Sequence, residues 1–568
     1  MIRARHIEGF LYSLDNKQTI RHLLRSIVIS ICFLLFAGAD ILGQTTYTSV
    51  QNGPWHDDAT WSGTGVPGTN DVAIIENYTV TIYPPLFWSD ANVNKLIIKP
   101  SGKLEFGIIP FFSFLPSCLY VNDADGFIQV DNGGIINGGI GNSYIRYRTS
   151  NDQQLIVNGS VTNVGWLDFT NSGSTISISG NGNINIRNDI RLTNNNNITV
   201  INSLAGSLSV GGDIILEKNN CEFINNVTGN ISVGRDLVFK ELNCEFINNG
   251  ALNILNCIRV DQPNKNNNIL RNDPSGKITL GSDFNPFYSN FILDNYGLVD
   301  LNGNIINAEP GEVRIFNRAG SEFRWAGQES DTDLMLYCDF DSNNFIYDRT
   351  GTQPVIPPRD AYWNLITDGT DTKILQNQII IRNDLTIGAG SALDVNSNNY
   401  QIAIEGDWIH EPGGQFIARK GTVTFSGSND QAITCDNDEI FYGLTVNNTG
   451  GVINLTTGNV TATNLLTLAL GKINAGSFDL IIPPSGSISG GSATSYVIAD
   501  GTGSLKQHVN GAISFPIGTA TSYLPITLDN TGSPDSFSAN IFQSVTEDGL
   551  PGGIQVVDYA DYVKYTWR

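Results

Sequence analysis

Apolar residues along this chain come in short, strand-length runs, such as Ile184–Ile186, Ile278–Leu280, Leu298–Leu301 and Val313–Phe316, parted by Asn, Gly, Asp and Ser. Past the N-terminal region no window sustains the spacing of an amphipathic helix. Between residues 210 and 249 the runs repeat outright. Val210-Gly211-Gly212-Asp213 and Asn220-Cys221-Glu222-Phe223-Ile224-Asn225-Asn226 return 23 residues later as Val233-Gly234-Arg235-Asp236 and Asn243-Cys244-Glu245-Phe246-Ile247-Asn248-Asn249, ten of seventeen aligned positions being identical. Where the copies differ the pattern survives, Ile214-Ile215-Leu216 becoming Leu237-Val238-Phe239. A period of this length, rich in β-branched residues, Gly and Asn, is that of one solenoid coil. The expected fold is all-β: a right-handed parallel β-helix (β-solenoid) with coils of about 23 residues.

Stacked coils place equivalent side chains over one another at ~4.8 Å. If residues 95–495 form about 18 coils, the rod is ~85 Å long on that spacing. Asn225 over Asn248, and Asn226 over Asn249, are expected to form amide ladders. Glu217-Lys218 under Lys240-Glu241 brings opposite charges together, worth ~0.2–1 kcal/mol per pair. Phe223 and Phe246 are expected inward, since an exposed aromatic ladder invites aggregation. The neighbouring Cys-Glu pattern reads as leaving Cys and Phe on opposite phases of the strand. Cys221 and Cys244 fall within bridging distance, but in-register side chains point in parallel, so a buried ladder of free thiols is expected. Phe223 and Phe246 would then stack in the apolar part of an otherwise polar repeat.

A longer period overlies the second half. Phe345-Ile346-Tyr347 with Gln353-Pro354-Val355 matches Val423-Thr424-Phe425 with Gln431-Ala432-Ile433 at an offset of 78, and Asn364-Leu365-Ile366 matches Gly443-Leu444-Thr445 at 79. Gln401–Ile404 matches Asp479–Ile482 at 78. The unit spans three or four coils. Residues 326–361, holding Asp331, Asp333, Asp339, Asp341, Asp348 and the Pro354, Pro357, Pro358 cluster, read as a loop-rich joint or as the irregular opening of the first long unit. The divisions expected are an N-terminal β-rich capping module over 40–95, a solenoid segment over 96–330 and a second over 331–495.

Composition narrows the function. The chain of 568 residues is 40% apolar, enough for a core, but only 15% charged, and 64 of its residues are Asn. A net charge of −23 argues against nucleic acid as a partner, because phosphate recognition needs a basic surface. Residues 1–39 read as a secretory signal peptide: Arg3, Arg5, Lys17, Arg21 and Arg25 precede the apolar run Ile27–Phe36 and the triplet Ala37-Gly38-Ala39. Its removal takes away five basic and two acidic residues and leaves a charge of −26. No later stretch is long and apolar enough to be a transmembrane helix. The mature protein is expected to be exported and acidic.

Candidate chemistry is sparse. His56, His410 and His508 lie in different segments without the paired spacing of a metal site. Asp189, Asp213 and Asp236 recur at the coil period, as structural residues do, and are expected to accept backbone N–H bonds at a turn; the same start recurs at Asp384 and Asp407, again 23 apart. Asp331, Asp333, Asp339 and Asp341 offer hard oxygen ligands of the kind Ca²⁺ takes, but without the glycine-turned loop and spaced Glu of an EF-hand, and Asp123-Ala124-Asp125-Gly126 fails the same test. They read as solvated loop acids. Cys118, Cys257, Cys338 and Cys435 are too scattered to pair by spacing. Trp363, Trp408, Tyr400 and Tyr442 are candidates for sugar stacking on exposed turns, against core packing. Trp55 and Trp61 are expected to cap the open solenoid edge. No catalytic, cofactor-binding or metal-binding residue is assigned, and no cofactor is implied.

Two stretches carry a resemblance. Trp55-His56-Asp57-Asp58-Ala59-Thr60-Trp61-Ser62-Gly63, followed by Val66-Pro67-Gly68 and Asp71-Val72, resembles the module that opens many bacterial surface β-helix proteins. Gly421–Gly427, Gln431, Phe441–Asn448 and Leu465–Gly471 resemble their long repeats. The family consists of large adhesin-like proteins, many exported by the type IX pathway. Residues 496–568, with Phe515-Pro516-Ile517-Gly518 and Tyr523-Leu524-Pro525, resemble the β-sandwich-like segment that follows the solenoid there, and they stop within a strand-like run, as a fragment does. The resemblance implies a non-enzymatic secreted or cell-surface protein, adhesin-like or a structural spacer, with cell-surface or extracellular polysaccharide or other surface proteins as partners. The alternative is a polysaccharide-binding or polysaccharide-cleaving β-helix.

Overall fold

The computed structural model describes residues 44–85, 90–110, 114–122, 125–148, 152–170, 173–261, 265–286, 290–302, 306, 312–328, 334–547, 553–556 and 565–568. The signal peptide expected at 1–39 lies outside them. Strands make up 56% of the described residues, which wind into a parallel β-solenoid of about 19 turns with coils about 23 residues apart. One coil shows the plan. Glu222–Asn225, Asn230–Val233 and Leu237–Phe239 form its three faces, and each pairs in parallel with its counterpart one coil on, Glu222 beside Glu245, Asn230 beside Ala251 and Leu237 beside Ile258. The first face is a sheet of 13 strands from Thr46–Thr48 to Leu334–Cys338. The third has nine, from Ala91–Val93 to Phe284–Asn285.

Alternation along each strand sends every second residue into the lumen. Phe223 and Phe246 are fully buried, their rings 5.0 Å apart and within 1° of parallel, so the inward placement holds. Cys221 and Cys244 are also buried, and both are free thiols. The opposite phases read for Cys and Phe are corrected here: Cys221 and Phe223 stand two positions apart and point to the same side, as the period of two requires. In the first coil Trp61 meets Trp55 edge to face at 5.1 Å and donates its Nε1–H to the Trp55 carbonyl at 2.8 Å. This pair fills the lumen at the N-terminal end of the described rod.

The corners explain the abundance of Asn. At the turn from third to first face Asn197, Asn220, Asn243 and Asn267 take positive φ values of 60°, 56°, 56° and 62°, which Asn tolerates better than most residues. Their amides bond coil to coil at 2.9, 3.2 and 3.1 Å. At the turn from first to second face a buried ladder runs Asn202, Asn225, Asn248, Asn272, Asn295, Asn317, Asn343, each Nδ2 donating to the next Oδ1 at 2.8–3.3 Å. Asn226 donates instead to Ser203 Oγ at 2.6 Å. At the turn from second to third face a Cβ on Gly234 would sit 2.5 Å from the Gly211 carbonyl oxygen, so residue 234 is held to glycine, while Leu255 takes the same corner one coil on.

In the second half the joint is narrower than expected. Residues 326–361 contain Leu334–Cys338, Asn344–Tyr347 and Gln353–Val355, and the second face runs through, Trp325 beside Tyr347 and Tyr347 beside Thr367. The first and third faces are interrupted, the third between Phe284–Asn285 and Gln353–Val355. The first face shows how. It ends at Leu334–Cys338 and resumes at Ile379–Ile381, and between them stand Pro357 and Pro358, which have no N–H to give a ladder. The 78-residue repeat proves to be rotated about the rod. Phe345–Tyr347 lies on the second face and Val423–Phe425 on the first, while Gln353–Val355 lies on the third and Gln431–Ile433 on the second. The second face continues past residue 495 to Val497–Ile498 and Ile517–Gly518. Parallel stacking then stops, because Leu505–Phe515 pairs antiparallel with Ile526–Ala539.

Candidate functional site

The densest outward-facing chemistry lies low on the third face. In consecutive strands Tyr120, Arg146, Asp168 and Arg191 stand in register, while their neighbours Leu119, Ile145, Leu167 and Ile190 fill the lumen. Asp168 is fully buried between two guanidinium groups: Arg146 reaches it at 2.7 Å and Arg191 at 2.8 Å. Beside this column Tyr144 and Trp166 stack at 4.5 Å, 9° from parallel, and Trp166 Nε1 donates to Asp189 Oδ2 at 3.2 Å. Arg148 lies 3.3 Å over the Tyr120 ring, is exposed, and among the described residues has no carboxylate partner. Arg187 donates to the Gly139 carbonyl at 2.7 Å and to that of Gly141. Residues 132–212 hold four Arg, three Asp and no Lys or Glu, in a chain of net charge −23.

Higher on the same face the aspartate column performs the structural task expected of it. Asp189 Oδ1 accepts the N–H of Asp213 at 3.0 Å, Asp213 Oδ1 that of Asp236 at 3.0 Å, and Asp236 Oδ1 that of Cys257 at 3.1 Å. Asp384 and Asp407 repeat the device, accepting from Asp407 and Ala432 at 2.8 and 2.7 Å. Arginines add to these bonds: Arg235 reaches Asp189 Oδ1 at 3.1 Å and Asp213 Oδ2 at 3.3 Å, and Arg259 reaches Asp236 Oδ2 at 2.6 Å. Burial pushes the Asp213 carboxyl up. Burial acts the same way on Asp236, but the bonds from Arg259 and Cys257 outweigh it and hold that carboxyl below its ordinary value. The charge pairing read from the repeat is present too, Lys240 meeting Glu217 at 3.0 Å.

The remaining sequence candidates scatter. His56 sits in the first coil, where burial lowers its pKa, and His508 lies in the strand that begins the antiparallel closure. His410 Nδ1 meets Glu439 Oε2 at 2.8 Å, a bond that raises the histidine pKa, and Trp408 Nε1 donates to the same oxygen at 2.9 Å. Trp408 is therefore not on an exposed turn: it is fully buried against Phe416 and Phe441, at 4.8 and 5.1 Å. Trp363, Tyr400 and Tyr442 are half-buried. Asp339 pairs with Arg318 at 3.5 Å and Asp341 accepts from Ser342 at 2.5 Å, while Asp331, Asp333, Asp123 and Ala124 lie outside the described residues. The interruption of the first face leaves a groove of about 530 Å³ between Leu334–Leu336, Pro357–Asp360 and Asn377–Ile380.

The roles of some buried polar groups were not read from the sequence. Gln353 Nε2 caps the Trp325 and Gly327 carbonyls at 2.7 and 3.0 Å, and Gln431 caps those of Ile404 and Gly406 at 3.2 and 2.7 Å. The two glutamines are 78 residues apart, so the long repeat was their trace. Lys373, fully buried, donates to the Arg349 and Thr370 carbonyls at 2.7 and 2.9 Å, and burial lowers its pKa to about 8.

No family model matches the chain, and no curated protein matches it. No helix among the described residues is long and apolar enough to cross a membrane. The β-solenoid stands on its own geometry, and such a fold hosts binding, structural and catalytic roles alike.

Proposed function

We propose that this protein is a non-enzymatic, exported β-solenoid that works at the bacterial cell surface as an adhesin-like rod or spacer. The observation that carries the reading is the aspartate column of the third face. On a parallel β-helix, outward carboxylates in a row are where acid–base cleavage of a polysaccharide would be sought. Here each Oδ1 is committed to the N–H of the coil above and the guanidinium groups take up further oxygens, so the column spends its lone pairs on holding coils in register. Export is supported by the basic, apolar and Ala-Gly-Ala order of residues 1–39, and type IX secretion by the resemblance of the opening module. About 19 coils at ~4.8 Å give a rod of ~90 Å, a length suited to holding a binding surface away from a membrane.

The test is turnover. The chain, incubated with neutral and anionic polysaccharides, is expected to release no new reducing or unsaturated ends. Release that disappears in Asp213→Asn would overturn the reading and make the column a catalytic one.

A further inference from the structure

We propose that the third face between Tyr120 and Arg191 is the surface by which the rod holds an anionic polysaccharide, whose carboxylate or sulfate groups are taken by Arg148, Arg146 and Arg191. The proposal deepens the adhesin-like reading and rests on it. The chain as a whole carries a charge of −23, and from Tyr120 to Arg191 four Arg stand against six Asp, so the attraction comes from the local cluster of Arg146, Arg148 and Arg191 and not from net charge.

The arginines are placed for this task. A guanidinium presents a planar fork that matches a carboxylate or sulfate, and binding costs less when the fork is already fixed. Asp168 supplies the fixing: wholly buried, it is shared by Arg146 and Arg191, whose side chains keep about a quarter of their surface exposed. One acid between two bases leaves a positive charge over. Arg148 follows the strand end at Tyr147 and rests on Tyr120, the residue in register with Arg146. Arg191 is two coils above Arg146, ~10 Å along the rod, so an extended polymer lying along the axis meets the donors in turn.

The neighbouring acids limit the footprint. Asp189, at the upper edge, is occupied by Arg235, Trp166 and the Asp213 N–H. Asp90 stands at the lower edge near Tyr120. Tyr144 and Trp166 stack on each other, which takes one face of each ring, so recognition depends on charge more than on sugar stacking.

The test is binding by the full chain to alginate, dextran sulfate and neutral dextran, with duplex DNA as a generic polyanion. Expected are binding to one or both anionic polysaccharides that weakens with salt, as a screened interaction must, and none to dextran. Alginate alone would identify carboxylate recognition, and dextran sulfate alone sulfate recognition. Arg148→Glu is expected to lower affinity at least tenfold, Arg148→Lys to keep most of it, and Lys420→Glu, the same charge change on another part of the rod, to leave it intact. Absence of binding at low salt, equal binding to dextran or DNA, or indifference to Arg148→Glu would each overturn the proposal. Failure here leaves the spacer reading standing. Cleavage of a bound polymer with binding still sensitive to Arg148→Glu would remove the non-enzymatic reading while keeping the surface.

Discussion

The two halves of the rod bury polar side chains by different means. From Asn202 to Asn343 one amide ladder passes from coil to coil, each asparagine between the two ends both giving to and taking from its neighbours. In the second half Gln353, Lys373 and Gln431 each cap carbonyls of the backbone nearby, with Asn448 donating to Gln431 at 2.9 Å. The ladder needs an asparagine to return at the same corner of each coil, and it does so at steps of 23, 23, 24, 23, 22 and 26 residues. In the second half the 78-residue repeat returns on a different face, and the separate caps stand beside only short amide runs, such as Asn383 to Asn364 to Asn344 at 2.8 and 2.9 Å. A shared ladder makes neighbouring coils interdependent. Separate caps leave them more nearly independent.

The ladder gives the largest expected effect. Asn248→Leu removes the acceptor of Asn225 at 2.8 Å and the donor to Asn272 at 2.9 Å, and it also frees the Gly250 carbonyl. At ~1–3 kcal/mol for each buried group left unsatisfied, the loss should be ~3–6 kcal/mol. Hydrogen exchange should rise through the coils on both sides; a change confined to residue 248 would break the picture of a coupled ladder.

Phe223→Ala tests apolar stacking in the same coils. Loss of a fully buried ring from a 5.0 Å stack should cost ~3–5 kcal/mol through lost burial and a cavity. Protection should fall around residues 210–249, because each coil touches only its neighbours. Uniform loss along the rod would refute nearest-neighbour stability.

Gln431→Met sharpens the contrast from the other side. Two carbonyl caps disappear, at 3.2 and 2.7 Å, together with the bond Asn448 makes to Gln431 at 2.9 Å. The expected cost is ~1–3 kcal/mol, with exchange rising near residues 404–406 and 448 and nowhere else. Spread into distant coils would show the second half to be as coupled as the first.

The smallest effect is one of pH. Glu439 holds the His410 pKa above the ordinary 6.5, so the folded state binds that proton more tightly than the unfolded chain. Its stabilisation is full below pH 6.5 and is lost as pH rises through the raised value. Urea midpoints should therefore fall across that window, and the fall should flatten in Glu439→Gln. Lys373 works in the opposite sense at higher pH: its pKa, lowered to about 8 from 10.5, makes stability climb between those values, an effect Lys373→Met should remove.

Much of the rod was legible because stacked coils copy local sequence into space. Two aligned copies were enough to place Phe223 over Phe246, to pair Glu217 with Lys240 and to give the aspartate column its backbone bonds. The platform around Arg148 was not legible. Tyr120, Arg146, Asp168 and Arg191 come from four coils whose third-face strands share no motif, and only the register brings them together. Trp408 misled for a related reason: its neighbours suggest an exposed turn, but lumen-facing alternation carries it inward to Glu439.

The sequence by itself determined the coil. Its period, its asparagine and glycine corners and its inward apolar positions are local properties, set by which residues tolerate a left-handed turn and which leave water. Tertiary structure alone decided what faces what across coils that do not resemble each other. The winding angle between strands is the sum of every corner along the way, and a change of one corner, as at Pro357 and Pro358, can interrupt one face while the next runs on.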